Sequence, residues 1–279
     1  MKQVLAPVVS NAEVTQGTYL LRLRAPEIAR HAQPGQFVHV RCAPVGVLAT
    51  SDQPSPQPSP GKGEGAESLA WDPLLRRPIS IMRANRESGE LDILFDVVGR
   101  GTALLSRVRP GDALDVLGPL GRPFGLKAST RQALLVGGGV GVPPLVALAE
   151  EAIARGVSVT LVAGFRSAAK VLPAELLPPE VEYVVTTDDG SAGRPGLVTE
   201  SLAEYLSWAD QLFACGPLPM LKALARLDLP RSLPVQVSME ERMGCAMGVC
   251  LGCVVQTRHG LQRVCRDGPV FDLRELDLT

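Results

Sequence analysis

The chain has 279 residues, of which 46% are hydrophobic and 20% charged, and its formal net charge is -1. This length exceeds one average domain, so we expect two domains and a small additional unit. The near-neutral charge gives no electrostatic reason to expect nucleic acid or an anionic membrane as a partner, and we predict neither.

The N-terminal stretch lacks the pattern of an export signal. Its apolar segment, Val4 to Val9, is interrupted by Pro7 and is too short for the core of a signal peptide. The longest uncharged run, residues 132–149, falls short of the roughly 20 apolar residues that a membrane-spanning helix requires. We therefore expect a cytoplasmic protein, in a reducing compartment where clustered cysteines are more often metal ligands or redox groups than disulfides.

Residues 1–127 have the pattern of a small antiparallel β-barrel. Apolar and polar residues alternate over short segments that are separated by glycine and proline, as in half-buried strands. The predicted elements are strands at 18–24, 37–41 and 91–98 and one helix at 102–108. A turn at Arg109–Asp112 follows the helix.

A polar insertion interrupts the barrel region. Residues 51–65 contain no hydrophobic residue and are rich in proline, serine and glycine. This composition favours a solvated, extended chain, so we predict a disordered surface loop. A proline-rich binding motif is the functional alternative.

From Gln132 onward, strand and helix patterns alternate, which predicts a parallel sheet. The predicted strands are 133–136, 157–162, 181–185 and 211–214, and the predicted helices are 144–155 and 218–227. We assign residues 128–234 to a Rossmann-like α/β nucleotide domain and residues 235–279 to a smaller, cysteine-rich unit.

Four of the six cysteines stand in that last unit. Their spacing, Cys245-x4-Cys250-x2-Cys253-x11-Cys265, is that of plant-type [2Fe–2S] ligands. The loop between them is rich in small residues, which let backbone N–H groups turn toward the cluster sulfurs. Zinc, which prefers paired cysteine knuckles at separate turns, is an alternative, as are unliganded or disulfide-bonded cysteines.

Three further motifs have the chemistry of nucleotide sites. Arg76–Ser80 opens a strand with a guanidinium and a hydroxyl that can bind phosphate or a ring, and Gly99–Thr102 is a glycine turn at a helix start. Their alternatives are an ordinary exposed strand start and an ordinary helix capped by Thr102. The glycine turn at 137–144 follows a buried strand and precedes a helix, as dinucleotide-binding turns do.

We assign NAD binding to four residues of two glycine turns: Gly138, Gly139, Gly141 and Cys215. The turn at 215–217 closes a later strand and is, taken alone, a generic strand-to-helix connection. Since the second strand ends at Gly164–Ser167 without an acidic residue for the ribose, the sequence leaves NAD and NADP both open.

In chain order these motifs resemble the ferredoxin–NADP reductase superfamily, in which a flavin barrel precedes a nicotinamide-nucleotide domain. The segments that carry this resemblance are 34–37, 77–80, 99–102, 137–143 and 214–217. Residues 241–253 and 264–271 resemble one branch of it, the electron transfer subunits of two-subunit, NAD-dependent dihydroorotate dehydrogenases. Apart from the insertion, the resemblance covers nearly the whole chain.

The resemblance implies FAD, a [2Fe–2S] cluster on the four cysteines, and NAD(H). The implied FAD-binding residues are Arg77, Pro78, Ile79, Ser80, Leu94, Phe95, Asp96, Gly101 and Thr102. Two positions depart from the family's pattern. Ile79 stands where many members of the superfamily have a tyrosine over the flavin, and Ala246 stands where glycine is expected.

The implied function is electron transfer in pyrimidine biosynthesis, from a catalytic FMN-containing dihydroorotate dehydrogenase subunit to NAD+, in a heterotetramer. A flavin can mediate between the single electrons of a cluster and the hydride that NAD+ accepts, so we name no acid–base catalytic residue. A flavin and iron–sulfur subunit of a soluble hydrogenase or of a ferredoxin-dependent transhydrogenase would share these motifs. A zinc-stabilised binding module is the alternative of a different class.

Overall fold

The computed structural model describes residues 1–43 and 73–278. The insertion predicted at 51–65 lies outside the described residues. The described chain forms a closed antiparallel barrel, a seven-stranded and mostly parallel sheet, and a two-stranded hairpin. The predicted mixed β and α/β fold class is confirmed.

Six strands close the barrel in the order β1-β2-β5-β4-β3-β6, with β6 returning to β1. They are β1 Lys2–Thr15, β2 Thr18–Arg24, β3 Phe37–Val40, β4 Arg77–Asn85, β5 Glu90–Asp96 and β6 Ala113–Leu120. Two short helices accompany them, α1 Pro26–Ala29 and α2 Arg100–Leu105.

The alternation in β2 shows why these residues form a barrel strand. Leu21 and Leu23 are fully buried among the barrel's apolar side chains, and each such burial stabilises the fold by about 1.5–3 kcal/mol. Arg22 points to the outer face, where its Nε and Nη2 donate to the two carboxylate oxygens of Asp92 at 2.7 and 2.8 Å. The predicted strand at 18–24 is therefore confirmed, with one face apolar and the other polar.

Helix α2 begins two residues earlier than the pattern predicts. Gly99 is its N-cap, and Thr102 stands at the third helical position. The Thr102 hydroxyl accepts the backbone N–H groups of Val98 and Gly99 at 3.0 and 3.2 Å, so it satisfies two N–H groups at the helix start from the third helical position and is not itself the N-cap.

The second sheet has the order β10-β9-β8-β7-β11-β12-β15. Its elements, with two helices, are β7 Gln132–Gly138, α3 Pro143–Ala154, β8 Ser158–Phe165, β9 Glu182–Thr187, β10 Arg194–Pro195, β11 Gln211–Cys215, α4 Leu218–Ala225, β12 Val235–Ser238 and β15 Val270–Asp272. All neighbours are parallel except β12 and β15. The predicted boundary before Val235 therefore falls inside this sheet, because β12 belongs to it.

The barrel and the sheet share an apolar core. Met82 and Leu94 of the barrel pack with buried residues of β7 and α3. Beside them, Arg83 forms an ion pair with Glu150 of α3 and donates to the carbonyl oxygen of Leu176 at 2.6 Å. These contacts hold the barrel against the sheet and its helix α3.

The chain between β12 and β15 carries the four clustered cysteines and the hairpin of β13 Val254–Thr257 and β14 Gly260–Arg263. It packs on the other face of the sheet, where Cys253, Cys265 and Phe271 share a core with Phe37 of the barrel. No helix within residues 1–43 and 73–278 has the length and hydrophobicity to cross a membrane.

Candidate cofactor sites

The four tail thiols form one interacting group. Burial, followed by the neighbouring thiol of Cys253, raises the pKa of Cys265 to about 12. Cys245 also acts electrostatically on Cys265, and the thiol of Cys250 interacts with Cys245. Cys253 and Cys265 are buried, Cys245 is half-buried and Cys250 is exposed, so the group reaches from the core to the surface.

Backbone N–H groups surround the Cys245 sulfur. Burial opposes its ionisation, but the N–H groups of Cys250, Met247 and Val249 each donate to Sγ at 3.4 Å and together lower the pKa of Cys245 to about 6. Three such donors favour the thiolate, which is the form that binds metal. The predicted turning of N–H groups toward sulfur is therefore present at Cys245.

The loop achieves this with left-handed backbone, including two residues that carry a Cβ. Gly248 has φ of 80°, and Ala246 and Leu251 each have φ of 56°. Left-handed residues other than glycine cost roughly 1–2 kcal/mol each. Ala246, where the resemblance leads us to expect glycine, therefore stands at a position where the backbone gives glycine a physical advantage.

The chemistry of the thiol group suits a [2Fe–2S] cluster. Zinc needs four ligands around one atom at about 2.3 Å, whereas a [2Fe–2S] cluster distributes its four thiolates over two irons. The soft donor set, its spread and the N–H groups at Cys245 all suit such a cluster.

Arg263 is a site residue that the sequence argument misses. Its guanidinium donates from Nε to Asp267 at 2.9 Å and from Nη1 to the carbonyl oxygen of Gly248 at 3.2 Å. It thereby ties the hairpin to the cysteine loop. The sequence signal for this role is the pair of Arg263 and Asp267, which stand four residues apart and flank Cys265.

Three of the predicted flavin-binding residues, Arg77, Gly101 and Thr102, meet at the start of α2. A Cβ on Gly101 would lie 2.8 Å from Nε of Arg77 and 2.9 Å from Sγ of Cys42, so the absence of a side chain lets the guanidinium lie against this turn. The Thr102 hydroxyl fixes the turn through its hydrogen bonds to the N–H groups of Val98 and Gly99. A guanidinium beside a glycine turn suits a pyrophosphate.

The other predicted flavin residues divide between the cleft and the barrel interior. Leu94 and Asp96 line a cleft of about 570 Å³ between the barrel and the sheet. Phe95 is buried inside the barrel and stacks on Tyr19 with ring centroids 6.0 Å apart, and Ile79 is also part of the barrel core. Pro78 and Ser80 are half-buried on β4.

The Asp96 carboxylate links the two halves of the molecule across this cleft. It accepts a hydrogen bond from the Thr18 hydroxyl and forms an ion pair with Lys170, whose Nζ lies 3.2 Å from Oδ1. Lys170 follows β8 of the sheet, so this pair closes one end of the cleft.

The predicted NAD residues lie at the carboxyl ends of β7 and β11. Gly138 and Gly139 line the cleft. A Cβ on Gly141 would lie 2.2 Å from the carbonyl oxygen of Cys215, so the two turns touch backbone to backbone. Burial, followed by the nearby Glu240, raises the pKa of the Cys215 thiol well above its usual range.

Glu240 is a second residue that the sequence argument misses. It lies on the cleft wall two residues after the end of β12, where burial raises the pKa of its carboxyl although part of the residue is exposed to the open cleft. Its proximity to Cys215 depends on β12 joining the sheet, which the predicted boundary at 235 did not include.

Comparisons with known proteins agree with this geometry. Residues 240–277 match the family model of the iron–sulfur cluster binding domain of dihydroorotate dehydrogenase B. The chain is 41% identical over 276 residues, covering 97% of each chain, to the "dihydroorotate dehydrogenase B (NAD(+)), electron transfer subunit" of Geobacillus thermodenitrificans. It is 38% identical over 273 residues, covering 95% of each chain, to the protein of the same name from Desulforamulus reducens.

Solved structures with a similar fold include two ferredoxin oxidoreductases. A chain of an NADH-dependent reduced ferredoxin–NADP oxidoreductase, studied for flavin-based electron bifurcation, is similar with a TM-score of 0.80 and 28% identity, covering 99% of this chain and 90% of that chain. The ferredoxin reductase of carbazole 1,9a-dioxygenase has a TM-score of 0.64 and 22% identity, covering 84% of this chain and 68% of that chain. The second likeness shows the fold alone.

Proposed function

Since the chain belongs to the family of dihydroorotate dehydrogenase B electron transfer subunits, we propose that it passes electrons from a dihydroorotate-oxidising partner, through a [2Fe–2S] cluster and FAD, to NAD+. The observation that carries this proposal is the single group formed by the thiols of Cys245, Cys250, Cys253 and Cys265, with three N–H donors on one of them. Such an arrangement suits a redox cluster.

For the cluster, the chain supplies ligands, hydrogen bonds and burial. The four thiolates would hold the irons, and the N–H groups of Met247, Val249 and Cys250 would stabilise negative charge at Cys245. Arg263 holds the loop in place through Gly248 and Asp267. The exposed Cys250 would place one edge of the cluster near the surface, where an electron can arrive from another protein.

For FAD, Arg77 and the turn at Gly101 and Thr102 would hold the pyrophosphate, while Leu94 and Asp96 form the cleft wall. Pro78 and Ser80 present the half-buried face of β4 to the ring. When bound, the flavin exchanges single electrons on one side and a hydride on the other. Ile79 packs in the barrel core and supports β4 from within.

For NAD+, Gly138 and Gly139 would let the dinucleotide approach the backbone, and the contact between Gly141 and Cys215 fixes the two turns that frame the nicotinamide. Leu94 and Asp96 of the proposed flavin site line the same cleft as Gly138 and Gly139 of the proposed NAD site, so a hydride acceptor and the flavin would meet there. Preference for NAD over NADP is supported by the names of the relatives.

The proposed partner is a catalytic FMN-containing subunit, in a heterotetramer located in the cytoplasm. Support comes from an apolar surface around the cysteine loop, on which Met247, Val249 and Leu251 are 45%, 77% and 60% exposed. Leu74 and Met247 line one cavity beside this loop, and both are exposed. Exposed apolar side chains around an electron-transfer centre suit a protein interface.

The test is the purified chain by itself. We expect flavin absorbance, about two irons and two sulfides per chain, and a paramagnetic signal after reduction and freezing. It should reduce dyes with NADH but should not oxidise dihydroorotate. Dihydroorotate oxidation by the isolated chain would refute the division of labour, and zinc without flavin would support a binding module instead.

A second candidate is a flavin and iron–sulfur subunit of a ferredoxin-dependent transhydrogenase. The bifurcating NADH-dependent oxidoreductase chain covers 99% of this chain at 28% identity, which favours this candidate over a hydrogenase subunit. The two proposals share every cofactor and differ in the partner. Co-purification with an FMN protein that oxidises dihydroorotate supports the first, and co-purification with a larger flavoprotein that reduces ferredoxin supports the second.

A further inference from the structure

His39 is a buried imidazole whose polar atoms have no hydrogen-bond partner in the described part of the chain. Its residue is 2% exposed, and both ring nitrogens are buried and unpaired. An unsatisfied buried polar group costs about 1–3 kcal/mol, and such groups are rare in native proteins. The proposed function as described so far gives this residue no role.

His39 lies beside the proposed flavin-binding strand β4 and faces a cavity that it shares with the cysteine loop. It is opposite Pro78 of β4 and Leu117 of β6. Its neighbours Val38 and Val40 point into the barrel core, so alternation puts His39 on the outer face. There it lines a cavity of about 550 Å³ together with Cys245 of the cluster loop.

Two backbone carbonyls interact with the His39 imidazole. One is that of Arg76, directly before the predicted flavin ligand Arg77, and the other is that of Met243, two residues before Cys245. Both interact with the ring but lie outside hydrogen-bond geometry. A full hydrogen bond to either carbonyl would require that segment or the ring to move.

The neutral His39 ring has a single N–H donor. Burial, with the adjacent charge of Arg76, lowers the pKa of His39 to about 4, so the imidazole is neutral at physiological pH. A neutral imidazole donates from one nitrogen and accepts at the other. The Arg76 carbonyl lies on the same barrel as His39, so a bond to it would join two parts of one domain. A bond to Met243 would join the barrel to the cluster loop.

We propose that His39 is a positioning residue that donates its ring N–H to the Met243 carbonyl and holds the cysteine loop against the flavin-binding strand. This inference rests on the proposed function. Groups outside the ligand set orient the ligands, and their loss typically costs about 10–100-fold in metal affinity or activity. Here the affected step is electron passage between cluster and flavin, while hydride exchange with NAD(H) lies elsewhere in the cleft.

The test compares His39→Leu, His39→Asn and His39→Gln in the full chain with its cofactors. Leucine fills the space without a donor, whereas asparagine and glutamine each keep an amide N–H near one of the two ring nitrogens. Flavin content, NADH-driven flavin reduction, NADH-driven cluster reduction, the paramagnetic spectrum of the reduced cluster and iron release to a chelator are measured for each. His31→Leu, an exposed histidine on the same barrel, is the matched control.

We expect His39→Leu to retain FAD and fast flavin reduction, but to slow cluster reduction and speed iron loss by about tenfold or more, with a changed cluster spectrum. One amide variant should restore the wild-type behaviour and thereby identify the donating nitrogen. Wild-type behaviour of His39→Leu would overturn the proposal. Equal damage in all three variants, with flavin loss, would also overturn it, because it would show a general packing role.

These results separate the two proposals. If the wild-type chain holds no [2Fe–2S] cluster, the proposed function itself fails and the role of His39 fails with it. If the wild-type chain holds the cluster and His39→Leu matches it in spectrum and rates, only the role of His39 is refuted.

Discussion

The barrel and the cysteine loop are built in opposite ways. The barrel is closed by its own strand pairing, and on its outer face the Arg22 guanidinium pairs with the Asp92 carboxylate. Residues 239–253 contain no helix or strand, and three of their N–H groups donate to a cysteine sulfur. The flavin cradle is thus a product of the fold, whereas the loop has the geometry of a site completed by its ligand.

The largest expected effect is confined to the loop. Cys265→Ser removes a buried thiol that we propose as a cluster ligand, so we expect cluster iron and the reduced paramagnetic signal to fall by roughly 100-fold or more. Flavin content and NADH-dependent dye reduction should persist, because the barrel and the cleft do not depend on the cluster.

Cys42→Ala is the control for that change, since Cys42 is a buried thiol of the barrel and not one of the four. It should keep the cluster. Loss of flavin and cluster together in Cys265→Ser would contradict the independence of the two regions.

The next effect concerns the nucleotide turns. Gly141→Ala would place a Cβ 2.2 Å from the carbonyl oxygen of Cys215, and both groups belong to packed backbone. We expect a loss of about 1–3 kcal/mol in the free energy of unfolding and a higher KM for NADH. Gly156→Asn, in an open left-handed turn, is the matched control and should change neither by much.

A more local change tests the flavin cradle. Gly101→Ala would push Arg77 away from α2, and losing a charge-assisted hydrogen bond of about 1.5 kcal/mol predicts roughly tenfold weaker FAD binding. Flavin release on dilution measures it.

Gly99→Ala is its control, because a Cβ there meets nothing within 4 Å and its φ of -177° suits any residue. Equal flavin loss in the two variants would refute the assignment of Arg77 and Gly101.

The smallest expected effect concerns backbone strain at Ala246 in the cysteine loop. Ala246 has φ of 56°, so Ala246→Gly should relieve up to about 1 kcal/mol of strain and slow iron release to a chelator by a few fold. Ala246→Val should speed the release, since a β-branched side chain is disfavoured there. Faster release from the glycine variant would show that the strain is not a property of the folded loop.

The alternation of apolar and polar residues predicted a strand or helix well where the element keeps the same packing partners along its whole length. The strands at 18–24 and 211–214 and the helix at 144–155 lie within one or two residues of their predicted bounds. β1 was not assigned because it changes partner along its length. Lys2–Pro7 pairs with β6, and Val8–Thr15 pairs with β2, so no single alternation runs through it.

The site was predictable where chemistry fixes spacing and not where folding brings distant residues together. Cysteine spacing identified the four thiols that the structure groups. Arg263, Glu240 and His39 owe their positions to the hairpin, to β12 and to the barrel register, none of which has a local sequence signal. The membership of the flavin and NAD sites stays a prediction, although Phe95 lies inside the barrel and not on the cleft.

Because β12 pairs with β15, residues 239–269, which carry the four clustered cysteines, form a long connection between two adjacent strands. Ser238 is opposite Val270, and the N–H of Met239 donates to the carbonyl oxygen of Pro269 at 2.9 Å, so both ends are fastened at one point. All four cysteines precede β15 in the chain, and the segment that carries them is fastened at both ends only when β15 has paired with β12. We therefore expect cluster assembly to be among the last events of biogenesis, and a chain ending before Phe271 to keep every ligand yet lose its metal.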